Sequence, residues 1–405
     1  MSTVIERVRA AAAAAADHQE KQGAEDTEAR RITDIMERFL QKQKRVIYGG
    51  AAINAQLPAE HKFYDPRLYL PDYDFMTPTP IQDAEELMED FRKEGFKEIE
   101  TKFGIHEGTY KVFVNFRSAA DITYMPLDLY KRILKDCRVV NRLFYASPNF
   151  LRMNMYLELS RPAGMVSRWE KVYQRLLLLN EAYPLHVCGV KGRKPSLMSD
   201  LQQQIVDEGA AEGAIFLSVR GLRPLSAGME PVILIMTDKA GALSSSLREL
   251  GLTEIRHEAQ GELLPARSEF KSEGSLIAVV FSTVACHAYT TVADANKRTI
   301  RLASIDLLIQ MYYALYFMEL KNYVPDSILC TIQRLIEMEA GSRKDGSIPL
   351  KEAFPLDCVG HQPTMPELKR AHRSRLLDYK KKQRKTKKVK VKAVKARQLI
   401  VNPTQ

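Results

Sequence analysis

Apolar residues recur at helical spacing from Glu28 to Lys44 (Ile32, Ile35, Met36, Phe39, Leu40), which predicts an amphipathic helix. It runs into a short apolar stretch, Val46-Ile47-Tyr48, that ends at Gly49-Gly50 and restarts as a helix at Ala51 to Asn54. Ala55 to Pro71, broken by Pro58 and Pro66, reads as a loop. Asp72 to Phe75 reads as a short strand stopped by Pro78 and Pro80, and Asp83 to Lys93 as a helix with Ala84, Leu87, Met88 and Phe91 on one face and Gly95 as its stop. Three strands are predicted next, Phe96 to Lys102, Thr109 to Phe116 and Ala119 to Met125, the second alternating Tyr110, Val112, Val114 and Phe116 with Lys111, Phe113 and Asn115.

From Ser147 the texture turns helical. Ser167 to Tyr183 puts Trp169, Val172, Tyr173, Leu176 and Leu179 on one face, beside a basic stripe of Arg168, Lys171 and Arg175. Beyond about residue 196 a second α/β unit follows, with strands at Ala214 to Arg220, Pro231 to Met236 and Ser275 to Thr283 and helices at Ser244 to Leu250 and Leu302 to Leu320. The pattern predicts an α+β chain in five parts: a frayed or disordered helix at 1–30, a first unit at 31–188, a second at 189–330, an extension at 331–368 and a tail at 369–405, expected to be disordered.

Composition changes this picture in one respect, the placement of charge. The chain of 405 residues carries +10, but Lys369 to Arg397 holds fifteen Lys or Arg against one acid, Asp378, so that segment carries +14 and the rest −4. Such a tail suits nucleic-acid phosphates or simple solvation. The five cysteines (Cys137, Cys188, Cys286, Cys330, Cys358) form no Cys-x-x-Cys pair and are expected to be reduced thiols. The alanine-rich start is too polar for a signal peptide, and no apolar run reaches bilayer length, so a soluble intracellular protein without membrane attachment is expected.

The candidate chemistry sits between Val46 and Phe75. Gly49 and Gly50 close an apolar run and open a helix, where free N–H groups and close backbone approach suit a phosphate. Asp72 and Asp74 share one face of a strand, an arrangement whose repulsion a divalent cation relieves. Asp121, flanked by Ala120 and Ile122, is an acid inside an apolar strand, expensive without a partner or metal. Asp128 fits the same short pattern but follows Pro126 and reads as a helix-start acid. Gly189 to Pro195 is a basic turn without the spacing of a Walker loop, open between linker and nucleotide grip. His257, His287 and His361 show no ligand spacing, and Asp306 reads as a core polar group.

Gly49-Gly50, Asp72-Tyr73-Asp74-Phe75 and Ala120-Asp121-Ile122 resemble the signature of the nucleotidyltransferase superfamily with the polymerase-β-like palm. Leu151-Arg152-Met153-Asn154-Met155, Ser160-Arg161-Pro162 and Ser167-Arg168-Trp169-Glu170-Lys171-Val172 are similar, more closely, to the poly(A) polymerase catalytic subunits of large nucleocytoplasmic DNA viruses. The giant-virus and asfarvirus forms are nearest and the poxvirus form more distant; the likeness is strong from Arg45 to Pro184 and weaker to Phe317. It implies a catalytic palm with a mixed sheet and flanking helices at 31–188, and a degenerate copy of the same fold at 189–330. It further implies transfer of AMP from ATP to an RNA 3′ end, two divalent ions (Mg²⁺ or Mn²⁺) on Asp72, Asp74 and Asp121, and phosphate binding at Gly49, Gly50, Arg168 and Lys171. Where the superfamily turn can carry a Ser, Gly50 leaves the phosphate to backbone N–H groups. Giant-virus members imply a homodimer, the poxvirus form a separate processivity subunit; both imply mRNA processing in the host cytoplasm (viral factory) or virion. Two other readings stay open: an oligoadenylate- or tRNA-end-type transferase, and an inactive RNA-binding scaffold.

Overall fold

Asp26 starts the helix that the first apolar periodicity predicts: its carboxylate accepts from the backbone N–H of Glu28 at 2.8 Å and of Ala29 at 3.4 Å. The computed structural model describes residues 2–64, 71–104, 108–188, 198–218, 232–294, 297–318, 324–344 and 349–382. The basic turn at Gly189 to Pro195 and the tail beyond residue 382 lie outside the described residues.

An exposed helix α1 (Ser2–Glu25) precedes α2 (Thr27–Gln43), whose apolar face is buried. The first sheet then forms from β1 (Val46–Tyr48), β2 (Tyr73–Thr77), β3 (Ile99–Phe103), β4 (Thr109–Val114), β5 (Arg117–Tyr124), β6 (Arg138–Val140) and β7 (Leu143–Tyr145). Helices α3 (Gly49–Gln56), α4 (Pro80–Lys93), α5 (Leu127–Lys135), α6 (Pro148–Leu159) and α7 (Trp169–Ala182) connect and follow these strands. The strand order is β3-β4-β5-β2-β1-β7-β6. β2 pairs parallel with β5 and β1 parallel with β7; the other pairings are antiparallel.

The second half contains α8 (Asp200–Ala211), β8 (Ile215–Phe216), β9 (Ile233–Thr237), α9 (Ala240–Glu249), β10 (Thr253–His257), β11 (Arg267–Ser272), β12 (Ser275–Ser282), β13 (His287–Ala293), β14 (Thr299–Ala303), α10 (Ile305–Met318), α11 (Pro325–Lys344), α12 (Leu350–Ala353) and β15 (Cys358–Val359). Its order, β10-β11-β12-β9-β8-β14-β13-β15, repeats the first sheet strand for strand and adds β15 at the edge. The parallel pairs β9/β12 and β8/β14 fall where β2/β5 and β1/β7 fall in the first sheet. Both sheets are mixed and helix-flanked, so the expected α+β class with a degenerate second copy is what the chain adopts.

The two halves meet where α6 packs on α10. Phe150 and Phe317 form an edge contact with ring centroids 5.5 Å apart, and Arg132 Nη1 donates to the carbonyls of Phe317 and Met318 at 3.1 and 2.8 Å. Beside them lies a buried ionic cluster. Arg343 donates to Asp306 Oδ2 at 2.6 Å and to Glu339 Oε1, while Tyr156 OH donates to Glu339 Oε2 at 2.6 Å. Burial, then the charge of Asp306, pushes the Glu339 carboxyl up to about 7 against the pull of Arg343. Asp306 is thus a partnered core acid, as its place in an apolar helix suggested.

Two expectations are corrected. The cysteines are not all thiols: Cys188 is bonded to Cys330 and Cys286 to Cys358, with Cα–Cα distances of 4.9 and 5.2 Å, and Cys137 alone is free. Sequence spacing gives no sign of this, because packing joins positions separated by 142 and 72 residues. The basic segment from Lys369 is not wholly irregular either: residues 365–382 are helical. On that helix His372 stacks on Phe103 at 4.9 Å and meets Tyr110 edge-on, Arg375 lies 5.8 Å over Tyr124, and Tyr379 OH donates to Glu85 Oε2 at 2.9 Å. An apolar and aromatic side hidden within a charge run docks it to the rear of the first sheet.

Candidate active site

Four strands carry one row of polar side chains. Tyr48 on β1 pairs with Asp74 on β2, Asp74 with Asp121 on β5, and Asp121 with Lys111 on β4. Directly opposed residues project to the same face, and Asp72, two residues before Asp74, shares it. The opposite face, bearing Phe75, Tyr110, Val112 and Ile122, is buried under helices.

Burial sets the charge of the row. The Asp74 carboxyl is pushed up to about 8, first by desolvation and then by the charges of Asp72 and Asp121, with Lys111 and Arg168 pulling the other way. Asp72 is more exposed, yet partial desolvation and the charge of Asp121 raise it too, opposed by Lys111 and Lys171. Lys111 Nζ donates to Asp121 Oδ2 at 2.5 Å, leaving Asp121 Oδ1 buried with no hydrogen-bond partner. The Tyr48 hydroxyl shares a hydrogen bond with Thr123 Oγ1 at 2.8 Å, and burial followed by the Asp74 charge raises it well above the ordinary phenol range.

The glycine turn meets this row directly. Gly49 has φ +69°, and a Cβ built there would lie 2.5 Å from Asp74 Oδ2, so the close approach itself requires glycine. A Cβ on Gly50 would lie 2.9 Å from Arg175 Nη1. Arg175 is seated by the loop after α3: its guanidinium lies 4.5 Å over Phe63 and 5.6 Å over Tyr64, and Nη2 donates to Tyr64 OH at 2.7 Å. Asn54 fixes that loop, its Oδ1 accepting from Phe63 N at 3.0 Å and Tyr64 N at 2.9 Å. Arg175, Phe63, Tyr64 and Asn54 extend the site beyond the residues that the sequence analysis names for it. Helical spacing put Arg175 in the basic stripe, but the loop that aims it gave no pattern to read.

The remaining predicted residues are placed less closely. Arg168 bonds Glu158 at 2.8 Å from a half-exposed position and reaches Asp74 by charge alone, as Lys171 reaches Asp72. Among the described residues no three His, Cys, Asp or Glu side chains converge tightly enough to hold a metal ion. Asp72, Asp74 and Asp121 share a face and one another's charge, with Asp121 turned onto Lys111. An all-carboxylate set with one oxygen buried and unpartnered nevertheless has the chemistry that a hard divalent cation takes.

The second sheet supplies an internal control. The pairing of Thr237 with Ser282 matches that of Thr77 with Tyr124, so Val232, Leu234 and Val279 occupy the places of Asp72, Asp74 and Asp121. Leu217, whose N–H donates to Leu234 O at 2.9 Å, takes the place of Tyr48. The second copy keeps the sheet and replaces Tyr48 and the three acids by aliphatic residues, while Glu269, opposite Val279, stands where Lys111 faces Asp121.

Comparison with known proteins bears out the resemblance. Residues 34–165 match the family model described as the poly(A) polymerase catalytic subunit. Two proteins with provisional assignments as poly(A) polymerase catalytic subunits are similar over part of their length. One, from Acanthamoeba polyphaga mimivirus, is 31% identical over 162 residues, covering 39% of this chain and 27% of that protein. Another, from African swine fever virus, is 27% identical over 216 residues, covering 50% of this chain and 44% of that protein. The chain thus spans less than half the length of these relatives. The fold is that of the crystal structure of the Megavirus polyadenylate synthase, with a TM-score of 0.75 at 20% identity, covering 95% of this chain and 84% of that one.

Proposed function

We propose that this chain is a template-independent polynucleotide adenylyltransferase, which transfers AMP from ATP to the 3′-hydroxyl of RNA with release of pyrophosphate. One observation carries the reading: Asp74 and Asp121 face each other in register, with Asp72 on the same face, against a glycine turn too tight for any side chain. The match of residues 34–165 to poly(A) polymerase catalytic subunits and the fold shared with a polyadenylate synthase support it.

The β- and γ-phosphates of ATP lie against the backbone N–H groups of Gly49 and Gly50 at the start of α3, where the helix dipole adds positive potential. Arg175, stacked and pre-aimed, faces the same turn, and Arg168 and Lys171 add charge from farther along α7. Asp72, Asp74 and Asp121 hold Mg²⁺ or Mn²⁺, two ions in the reading drawn from the superfamily. Bound there, the metal supplies Lewis-acid stabilisation of the α-phosphate and leaving group and lowers the pKa of the attacking hydroxyl. Asp121 Oδ1, buried and without a hydrogen-bond partner, is the oxygen left for the cation, while Lys111 holds the other oxygen of that carboxylate in place.

The same resemblance suggests action in the cytoplasm of a virus-infected host cell and assembly as a homodimer. Primer extension of an RNA oligonucleotide, with ATP, CTP, GTP or UTP supplied singly and with or without divalent metal, tests the function. Metal-dependent extension with ATP alone supports it. Equal use of all four nucleotides, or synthesis of free oligoadenylate without a primer, points to another transferase and contradicts it.

A further inference from the structure

Lys111 and Asp121 belong to the site, but the far end of the hairpin that carries them is unexplained. β4 and β5 turn through Asn115 and Phe116, both left-handed, with φ of 47° and 65°. Asn tolerates that conformation, whereas Phe adopts it against the clash of its Cβ, and glycine is the residue favoured at the second position of such a turn. Phe116 is also 79% exposed. Neither backbone geometry nor burial accounts for the ring.

The second sheet shows what the turn carries without it. Hairpin β11–β12 repeats β4–β5 position by position, including the register shift after Phe270 that matches the shift after Val112. It turns through Glu273 and Gly274, with φ of 49° and 83°. Glycine therefore stands where the first sheet has Phe116, and Lys271 where it has Phe113. The aromatic pair occurs only beside the acidic row.

Phe113 is two residues along β4 from Lys111 and on the same face. Lys102 Nζ sits 4.9 Å from its ring centroid and bonds Glu100 at 2.7 Å. Glu98, Glu100, Lys102, Phe113 and Phe116 line a pocket of about 80 Å³.

We propose that Phe113 and Phe116 form a stacking platform for the bases of the single-stranded RNA primer, which runs along β5 and β4 toward Asp121. This rests on the adenylyltransfer reading and adds to it the path of the acceptor strand. The glycine turn, α3 and Arg175 occupy the β1 side of the acidic row, so the triphosphate takes that side and the acceptor strand enters from the other. From Arg117 to Asp121 is roughly 13 Å of strand at about 3.3 Å per residue, room for a few stacked bases. Glu98 and Glu100 make the pocket a poor phosphate site, and Lys102 is already paired; the ring faces, which accept any base, are the binding element.

The test uses the full chain, a fluorescein-labelled oligoadenylate without ATP or metal, and Phe116→Gly and Phe116→Trp variants. Phe116→Gly is expected to weaken oligoadenylate binding roughly 10-fold, the scale of one lost stacking contact, and to raise the KM for primer similarly. It should leave the KM for ATP unchanged and raise the melting temperature, because glycine suits the turn. Phe116→Trp should retain the affinity. Unchanged oligoadenylate affinity in Phe116→Gly would overturn the proposal. So would weaker binding accompanied by a lower melting temperature and no retention in Phe116→Trp, or a change of oligomeric mass as the sole effect. A wild-type protein that binds oligoadenylate through Phe116 yet never adds AMP contradicts the functional reading and leaves the platform standing.

Discussion

Asp74 and Asp121 oppose each other on parallel neighbouring strands, and the Asp74 carboxyl is held up at about 8 by burial and by its acidic neighbours. The folded chain therefore keeps a proton that the unfolded chain has already lost near pH 4. Since the folded state binds more protons across that window, the metal-free protein should lose stability as pH rises toward 8. A divalent cation displaces the same proton, so stabilisation by Mn²⁺ should grow from about pH 6 to about pH 8 and then level off. Melting curves with and without Mn²⁺ across this range check it; in Asp74→Asn both trends should flatten.

Gly49 carries two constraints at once. Gly49→Ala places a methyl 2.5 Å from Asp74 Oδ2 at φ +69°. Left-handed strain alone is worth roughly 1–2 kcal/mol, so chemical denaturation should show at least that loss, together with a higher KM for ATP. Gly241→Ala is the control, because nothing lies within 4 Å of a Cβ added there in α9. It should be neutral or stabilising by up to about 1 kcal/mol.

Arg175 is predicted to matter more for ATP than Arg168. Arg175 faces Gly50 and is locked by Phe63 and Tyr64, while Arg168 is half exposed and bonded to Glu158. Arg175→Lys keeps the charge and loses the planar fork and stacking, so the KM for ATP should rise about 10-fold with a smaller effect on kcat. Steady-state kinetics at varied ATP decide the matter; a larger effect from Arg168→Ala than from Arg175→Ala would reverse the assignment.

Arg343 compensates two buried carboxylates. Its side chain is 6% exposed, against 3% for Asp306 and 4% for Glu339. Arg343→Ala leaves both acids without their cation and should destabilise the protein by about 3–5 kcal/mol, read from urea unfolding at neutral pH. Because Glu339 is raised to about 7, it can take up a proton when the cation is lost, so the penalty should shrink on acidification.

The strands and the acids were legible because strand periodicity is a local property: alternation from Thr109 to Val114 set the faces, and a lone Asp121 among apolar neighbours marked itself. The same alternation wrongly extended the strand to Phe116, which lies in the exposed turn. Pairing is not local. That Lys111 lands on Asp121, and that Val232, Leu234 and Val279 fall in the places of the acids, follows from register between segments far apart in the chain. Helical spacing gave the stripe Arg168, Lys171, Arg175, but which member meets the glycines depends on how α7 is rotated against the loop that Asn54 holds. In the C-terminal helix the charge run masked His372 and Tyr379, which meet Phe103 and Glu85 from far along the chain.

That Asp74 and Asp121 jointly bear the catalytic cation is tested most directly by metal-dependent primer extension with ATP. Wild-type protein is compared with Asp74→Asn and Asp121→Asn variants confirmed as folded by circular dichroism. Both variants should lose AMP incorporation by at least roughly 10²–10³-fold while keeping the fold. Extension by either variant at the wild-type rate would contradict the account.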